Sequence, residues 1–331
     1  MTQRNALLAA LRGLKSDQFD ELALQVFRYQ ATMNPVYARY LSLLGRGPEK
    51  IKTIQEIPGL PIRLFKHYRL QSDDWEPAQV FTSSGTTGTQ TSQHAVRDLE
   101  AYLANARKGF RQFYGPVENY CILALLPAYL ERQGSSLVAM AQDFINRSKY
   151  EQSGFFLYEH EALASILKQN EEKGIPTLLL GVSFALLDFA AAYPMALQHT
   201  IVMETGGMKG RRKEMTRDEL HGILKQAFGL GEVHSEYGMT ELFSQAYSKG
   251  AGWFTSAATM RVQIQDLTDP FATVRTGRSG TIQIIDLANL DTISFIATED
   301  LGRVNAEGQF AVLGRVDYSD MRGCNLMVSD L

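Results

Sequence analysis

Cysteine is scarce: the 331 residues hold two, Cys121 and Cys324. Two thiols build neither a disulfide framework nor a four-cysteine metal site, so a reducing, cytoplasmic setting is expected. Histidine is sparse as well, and no histidine, cysteine or carboxylate group falls at zinc-ligand spacing. No run of about 18 apolar residues occurs, so no membrane-spanning helix is expected. The opening MTQRNALLAALRGLKS lacks a signal-peptide core and cleavage pattern, and reads as a short amphipathic helix. Excess charge is missing too. A net charge of -3 and a pI near 6.1 argue against a chain built to grip nucleic acid. The one basic cluster, Lys209, Arg211, Arg212 and Lys213, reads as a local anion site.

What is present is an ordinary globular composition, 45% apolar and 21% charged, long enough for one large or two moderate domains. Residues 1–75 have a helical pattern: Leu22, Val26 and Tyr29 share a face, Ser16 suits an N-cap and Pro35 restarts the next helix. IPGLPIRLFKHY (57–68), with two prolines, is expected to run extended over a surface. From 76 to 250, buried-strand runs such as CILALL, FFLY, TLLL and IVME alternate with helix-length stretches, which predicts a parallel sheet covered on both faces. From 251 to 331 the strands MRVQIQDL, GTIQIIDL, TISFIAT and GQFAVLG follow one another without a long helix. That part is expected to be antiparallel and barrel-like, so the fold class is layered α/β. Cys121 lies inside CILALL and is expected in the core.

The stretch VFTSSGTTGTQTSQH (80–94) packs hydroxyls and glycines behind an apolar pair. Ser83, Ser84, Thr86, Thr87 and Thr89 offer donors, and Gly85 and Gly88 let backbone N–H groups turn toward one point, as in an anion-binding nest. The same composition also suits a plain turn. No lysine follows Gly88, so this is no Walker loop. Val80 and Phe81 read as the end of a strand, and open α/β sheets place ligands at such ends. Further on, HSEYGMTELF (234–243) offers a flat ring at Tyr237, a turn at Gly238, a hydroxyl at Thr240 and a hard oxygen ligand at Glu241. Taken singly, these residues fit core, turn and surface roles equally well. His94 and His234 fit either the rim of a site or ordinary hydrogen-bonded positions.

SSGTTGT followed by YGMTE resembles the signature motifs of the adenylate-forming superfamily, which includes acyl-CoA synthetases and phenylacetate-CoA ligases. ATEDLGRV (297–304) resembles the segment whose aspartate grips the ribose, which points to Asp300. LGRVDYSDMRG (313–323) resembles the hinge motif and points to Arg315. The resemblance covers roughly residues 55–324. With METGGMKG (203–210) and a cysteine just after MRG, the chain is most similar to the LuxE-type acyl-protein synthetases, and a small C-terminal lid domain is expected to be absent.

This resemblance implies the large-domain adenylate-forming fold, with ATP and Mg2+ as cofactors and a small carboxylic acid, fatty in kind, as substrate. It also implies an acyl acceptor protein (a reductase or carrier) and a homodimer. It assigns nucleotide contacts to Ser83, Ser84, Gly85, Thr86, Thr87, Gly88, Thr89, Gly206, Gly207, Tyr237, Gly238, Asp300 and Arg315. Catalysis falls to Thr240, and Glu241 becomes the metal ligand. Cys324 takes the place of the acyl-carrying cysteine, with Arg322 beside it to favour the thiolate; a small residue closing the last strand is the other reading. A lid lysine is lacking, and Lys209 or Arg211 is the candidate replacement, chosen on charge alone.

Particular residues also support competing readings. Gly181-Val182-Ser183-Phe184-Ala185 approximates a hydrolase nucleophile elbow, with His199, His221 and His234 downstream. Alanine at its fifth position, and the two motifs it leaves unexplained, argue against it. A wall of the acyl pocket, with Ser183 capping the next helix, fits better. A phenylacetate-type coenzyme A ligase, or a catalytically silent binding protein of the same fold, would carry the same nucleotide motifs.

Overall fold

The computed structural model describes residues 2–83, 90–127, 134–206, 215–269 and 271–316. At the N-terminus Thr2 caps α1 (Gln3–Arg12), its side chain accepting from the Asn5 N–H. Then come α2 (Phe19–Met33) and α3 (Pro35–Leu43). Ser16, expected to cap α2, instead opens a short 3-10 turn, so the helix starts later, at Phe19. Asn34 does cap α3, and Pro35 fits its first turn because that position needs no N–H donor. Phe19, Leu22, Val26 and Phe27 form the buried stripe of α2.

The two-proline segment yields β1 (Leu60–Pro61), followed by β2 (Gln79–Thr82) and β3 (Gln93–Val96). Among the described residues strand β2 pairs only with β3, antiparallel, so it does not belong to the parallel sheet in whose carboxyl edge its loop was expected. Strands joined by a loop this short pair antiparallel, whereas parallel pairing needs a long crossover.

The alternating region gives α4 (Leu99–Tyr114), β4 (Cys121–Leu125), α5 (Ser136–Arg147), β5 (Gly154–Phe156) and α6 (His160–Lys173). It continues with β6 (Thr177–Val182), α7 (Ser183–Ala192), β7 (Thr200–Thr205), α8 (Arg217–Phe228) and β8 (His234–Tyr237). Strands β4 to β8 are parallel, in the order β8-β7-β6-β4-β5. Two antiparallel strands, β9 (Ala246–Ser248) and β10 (Thr255–Ser256), extend the β8 edge. The centre is apolar because both faces are covered: every residue of β4 and β6 is buried, Cys121 included. From β4 the chain steps to β5, then returns past β4 to β6. Right-handed crossovers therefore place α5 on one face and α6, α7 and α8 on the other. Helix α4 lies beside α5, Arg107 pairing with Asp143 at 2.8 Å.

The last part supplies β11 (Met260–Gln265), β12 (Gly280–Asp286), β13 (Phe295–Val304) and β14 (Phe310–Arg315). With β1 they make a five-stranded sheet, antiparallel except for the β1–β13 pair. The N-terminal helices pack on it. Phe27 and Tyr37 meet Phe295 at ring distances of 5.8 and 6.2 Å. Gln30 donates to the carbonyls of Asn289 and Leu290 and accepts from the Ser294 N–H, while Asn34 donates to the Thr292 carbonyl. The N-terminal helices and the late antiparallel strands thus share one core, separate from the core of the parallel sheet. Among the described residues no helix is long and apolar enough to cross a membrane.

Candidate active site

The HSEYGMTELF segment leaves the carboxyl end of β8, and its turn is anchored from the antiparallel sheet. Asp286, at the end of β12, is fully buried and accepts from the N–H groups of Phe243 and Ser244, both at 2.8 Å, and from the Ser244 hydroxyl at 2.6 Å. Asn289 Nδ2 donates to the Glu241 carbonyl at 2.8 Å. His94 spans from β3: Nδ1 is 2.9 Å from the Thr240 carbonyl and Nε2 is 2.9 Å from Thr292 Oγ1. A carbonyl only accepts, so Nδ1 carries the proton and Nε2 accepts from Thr292. Burial lowers the pKa of His94 to about 4, so the ring, stacked on Phe243 at 4.6 Å, is neutral at pH 7.

The same hairpin carries the Ser/Thr/Gly run. Its base is closed by Ser83 and Ser92: the Ser92 N–H donates to Ser83 Oγ at 2.9 Å, and the Ser83 N–H donates to the Ser92 carbonyl at 3.1 Å. Phe81, paired with His94 across the hairpin, packs on Phe243. His94 and Phe81 therefore mount the hairpin directly against the tyrosine turn.

On the far side of that turn the Tyr237 hydroxyl donates to Asp300 Oδ2 at 2.9 Å, and Arg315 Nε donates to Asp300 Oδ1 at 3.1 Å. Register makes this chain: Asp300 and Arg315 are directly paired between β13 and β14. Burial, then the Asp300 charge, push the Tyr237 phenol well above its usual pKa, so it stays a donor. Its ring meets Phe310 and Phe254 at 5.3 and 5.8 Å. Asp300 is buried while Arg315 is largely exposed, 8% against 59% by side chain, so the ion pair faces outward at its cationic end. The Glu241 side chain is buried yet has no hydrogen bond or ion pair among the described residues. Magnesium is commonly held by one or two carboxylates together with substrate phosphates, and this free carboxylate fits that donor set.

Two further carboxylates sit at the carboxyl ends of β7 and β8, on opposite faces of the sheet because neighbouring side chains alternate. Glu204 faces α7 and α8, with Arg217 Nε at 3.3 Å, His221 Nε2 at 3.7 Å and the Ser183 hydroxyl at 3.4 Å. Glu236 faces α4, where the Thr205 hydroxyl donates to it. Burial, with the Glu204 charge adding to it, raises the Glu236 carboxyl pKa to about 7 although the Thr205 bond opposes the shift. Gly238 leaves room beside it: a Cβ there would come within 2.5 Å of Glu236 Oε1.

Of the predicted site residues, the structure joins Tyr237, Asp300 and Arg315 in one hydrogen-bonded chain. It sets Thr240, Gly238 and Glu241 in the adjoining turn and Ser83 at the hairpin base. Gly206 follows β7, its carbonyl accepting from Ser183 at 2.9 Å. Ser84, Gly85, Thr86, Thr87, Gly88, Thr89, Gly207, Lys209, Arg211 and Cys324 lie outside the described residues. Ser183 does not cap α7 as expected. It is the first helical residue, and its hydroxyl turns to Gly206 and Glu204 instead. Among the described residues no histidine partners it, so the hydrolase elbow lacks its base; Phe184 and Ala185 line a cavity of about 250 Å³ with Pro127 and Leu157. That cavity opens where the strand order reverses, at the carboxyl ends of β4 to β6. Sequence reasoning missed Asp286, Glu204 and Glu236. The sequence carries a signal for Asp286, an acid closing the apolar run GTIQIID, and for Glu204, an acid within IVMET, but none for Glu236 in HSEY.

The family model described as acyl-protein synthetase, LuxE, matches residues 11–331. No curated protein sequence matches. Among solved structures, ATP-bound MatB from Rhodopseudomonas palustris superposes with a TM-score of 0.53 and 16% identity, covering 73% of this chain and 49% of MatB. An open conformation of 2-hydroxyisobutyryl-CoA ligase in complex with 2-HIB-AMP and CoA gives a TM-score of 0.65 and 14% identity, over 92% of this chain and 71% of the ligase. The chain thus has the α/β fold of adenylate-forming ligases and spans about half the length of the MatB structures it matches.

Proposed function

Since this chain belongs to the LuxE acyl-protein synthetase family, we propose that it activates a carboxylic acid with ATP and then passes the acyl group to a thiol. In the first step a carboxylate oxygen attacks the α-phosphorus, a P–O bond to the β-phosphate breaks, and acyl-adenylate and pyrophosphate result. Two anions must meet, so the site has to offset negative charge. Asp300 accepts from the ribose hydroxyls, with Arg315 holding the carboxylate in place and keeping its own cationic face free for phosphate. The hydroxyls and N–H groups of residues 83–89 take the outer phosphates, and Thr240 donates at the reacting phosphate. Glu241 holds magnesium, whose charge would lower the repulsion between the reactants. Lys209 or Arg211 supplies the remaining positive charge.

The observation that carries this reading is the Tyr237–Asp300–Arg315 chain, set beside a free buried carboxylate and locked by His94 to the hairpin that bears the Ser/Thr/Gly run. In the second step the Cys324 thiolate attacks the acyl carbonyl, a thioester forms and AMP leaves; a fatty acid and an acceptor protein complete the family's reaction. Coenzyme A is the competing acceptor.

The test is ATP–pyrophosphate exchange that depends on an added carboxylic acid. Exchange is expected in the full chain and is expected to fall at least ~100-fold in Thr240→Ala. Absence of exchange with a broad acid panel would leave a silent binding protein. With labelled acid and ATP, a hydroxylamine-sensitive label is expected on the chain and absent from Cys324→Ser. A label that survives that change removes the acyl-cysteine, and turnover on coenzyme A alone favours the coenzyme A ligase.

A further inference from the structure

Behind the tyrosine turn, on the face of the sheet covered by α4, lies a group of polar side chains that the activation chemistry leaves unused. Glu236, on β8, is in direct register with Tyr247 on β9 and with Thr205 on β7, so the three side chains share one face. Thr205 donates to Oε2 of Glu236, and Oε1 has no partner among the described residues. The hydroxyl of Tyr247 and Oε1 of Gln245, both on residues more than nine-tenths buried, also have no hydrogen-bond partner among them. Gln245 converges with Glu236 above Gly238: a Cβ at that glycine would come 2.5 Å from Glu236 Oε1 and 3.7 Å from Gln245 Cγ. No described cation pairs with Glu236.

The walls are aromatic. Tyr247 packs against Phe110, Phe113 and Tyr114, and Phe243 packs on Tyr102. Buried polar atoms in native proteins are nearly always hydrogen-bonded, so unpartnered atoms on three neighbouring residues call for a partner. Apolar walls around a few polar groups are the usual make-up of a small-molecule site. Here those groups are mainly acceptors: the free oxygen of Glu236 and the amide oxygen of Gln245, with the Tyr247 hydroxyl able to act either way. Acceptors select a ligand that brings donors. The turn that carries Thr240 begins one residue after Tyr237, so this cluster lies under the place where the acid's carboxyl group would react.

We propose that Glu236, with Gln245 and Tyr247, makes this enzyme selective for carboxylic acids that carry a hydrogen-bond-donating substituent, a hydroxyl or an amine, near the carboxyl end. The inference rests on the acid-activation reading and narrows its substrate class away from a plain hydrocarbon chain. Glu236 is a specificity-determining residue in this scheme. An unsubstituted chain would leave the acceptors unpaired at the moment of binding, and sites built to hydrogen-bond a substrate group reject the analogue lacking it strongly. Its carboxyl, raised to about 7 by burial, stays able to accept on the unprotonated oxygen in either ionisation state.

The test uses the full chain with ATP, magnesium and four acids: hexanoate, 2-hydroxyhexanoate, 3-hydroxyhexanoate and 2-aminohexanoate. A donor-bearing acid is expected to exceed hexanoate by ~100-fold in kcat/KM for pyrophosphate release. Glu236→Leu should shrink that preference to below ~5-fold while ATP affinity by calorimetry stays within about twofold. Glu236→Gln separates the two substituents: it keeps an acceptor for a hydroxyl but loses the charge that favours an amine. Should Glu236→Leu not fold, Tyr247→Phe removes one hydroxyl and should cut the preference by ~5-fold or more. Hexanoate as the best acid in wild type and variant alike would keep activation and overturn the pocket. No release with any acid, but a thermal shift by a hydroxy or amino acid that hexanoate lacks and Glu236→Leu abolishes, would keep the pocket and overturn activation. Neither release nor a selective shift overturns both.

Discussion

Gln30, Asn34 and Asp286, buried around the antiparallel sheet, bond mostly to main chain, whereas behind β8 Glu236 bonds a side-chain hydroxyl and the Tyr247 hydroxyl has no partner among the described residues. Gln30 and Asn34 give their amide donors to carbonyls of residues 289–292 and take backbone N–H groups in return. Asp286 takes the N–H groups of Phe243, Ser244 and Ala288. Glu236, Gln245 and Tyr247 are buried too, yet each of the three has an atom with no partner among the described residues. The first group fixes where loops run, and every donor it engages would otherwise be an orphan. The second is arranged for something outside the chain. The two kinds of buried polar residue should therefore separate under mutation: one loses stability and keeps selectivity, the other the reverse.

The largest effect is expected at Asp286. Asp286→Ala strips the acceptor from several buried N–H and O–H groups at once, and each such orphan costs about 1–3 kcal/mol. Urea unfolding should report a loss of about 3–5 kcal/mol, with acid preference unchanged in whatever folded protein remains. A loss below about 1 kcal/mol would mean that water replaces the carboxylate, and the contrast between the regions would fail.

Glu236→Gln should act with the opposite sign. The folded carboxyl titrates near 7, against an ordinary value of 4.5, because burial disfavours its charge. Such a group binds more protons folded than unfolded, so wild-type stability falls as pH rises from about 4.5 through 7. A shift of that size corresponds to about 3 kcal/mol. The variant should match wild type near pH 4.5 and exceed it by up to that amount at about pH 8, measured by denaturant midpoints. A gain in stability joined to a loss of preference for the amine-bearing acid is the mark of a functional buried charge.

His94 lies between the two cases, since it positions a loop but also titrates. Its pKa is lowered from 6.5 to about 4 by burial, so the unfolded chain binds more protons across that window and stability rises with pH from 4 to 6.5. His94→Phe loses the bonds to Thr240 and Thr292, about 2 kcal/mol at about pH 7.5. The gap should close near about pH 4.5, where wild type bears the cost of keeping the ring neutral. An equal gap at both pH values would show that the folded ring takes up its proton as readily as the unfolded one.

Much of the scaffold was legible because its physics is local. CILALL and TLLL read as strands buried on both faces, and the shared face of Leu22, Val26 and Tyr29 predicts the helix that the structure places at Phe19–Met33. Partnership was not legible. Gln30 meets Ser294 across 264 positions, and no periodicity says which surface an amphipathic helix covers. The site divided the same way. Tyr237, Asp300 and Arg315 stood in recognisable motifs, and the structure joins them. Nothing in the sequence reading singled out Glu236 or Asp286, and only the fold shows that main-chain donors saturate Asp286 and not Glu236. His94 was expected at the rim or as an ordinary bonded histidine. It is the link between the two motifs, which follows from the hairpin register that opposes it to Phe81.

The smallest stability effect is expected at Arg315, which tests whether the outward ion pair belongs with the structural or the functional polar groups. Its side chain is 59% exposed, so solvent screens the pair with Asp300, and pairs of this kind contribute about 0–1 kcal/mol. Arg315→Ala should therefore unfold within about 1 kcal/mol of wild type. Asp300 keeps the Tyr237 bond in that variant, so the carboxylate is not stranded. If the guanidinium serves the nucleotide, ATP affinity by calorimetry should nevertheless fall ~10-fold, the scale of one charge-assisted contact. Arg315→Lys retains the charge without the planar fork and should recover only part of the loss. An unchanged affinity in both variants would move Arg315 to the structural side of the comparison and leave Asp300 to bind the nucleotide without it.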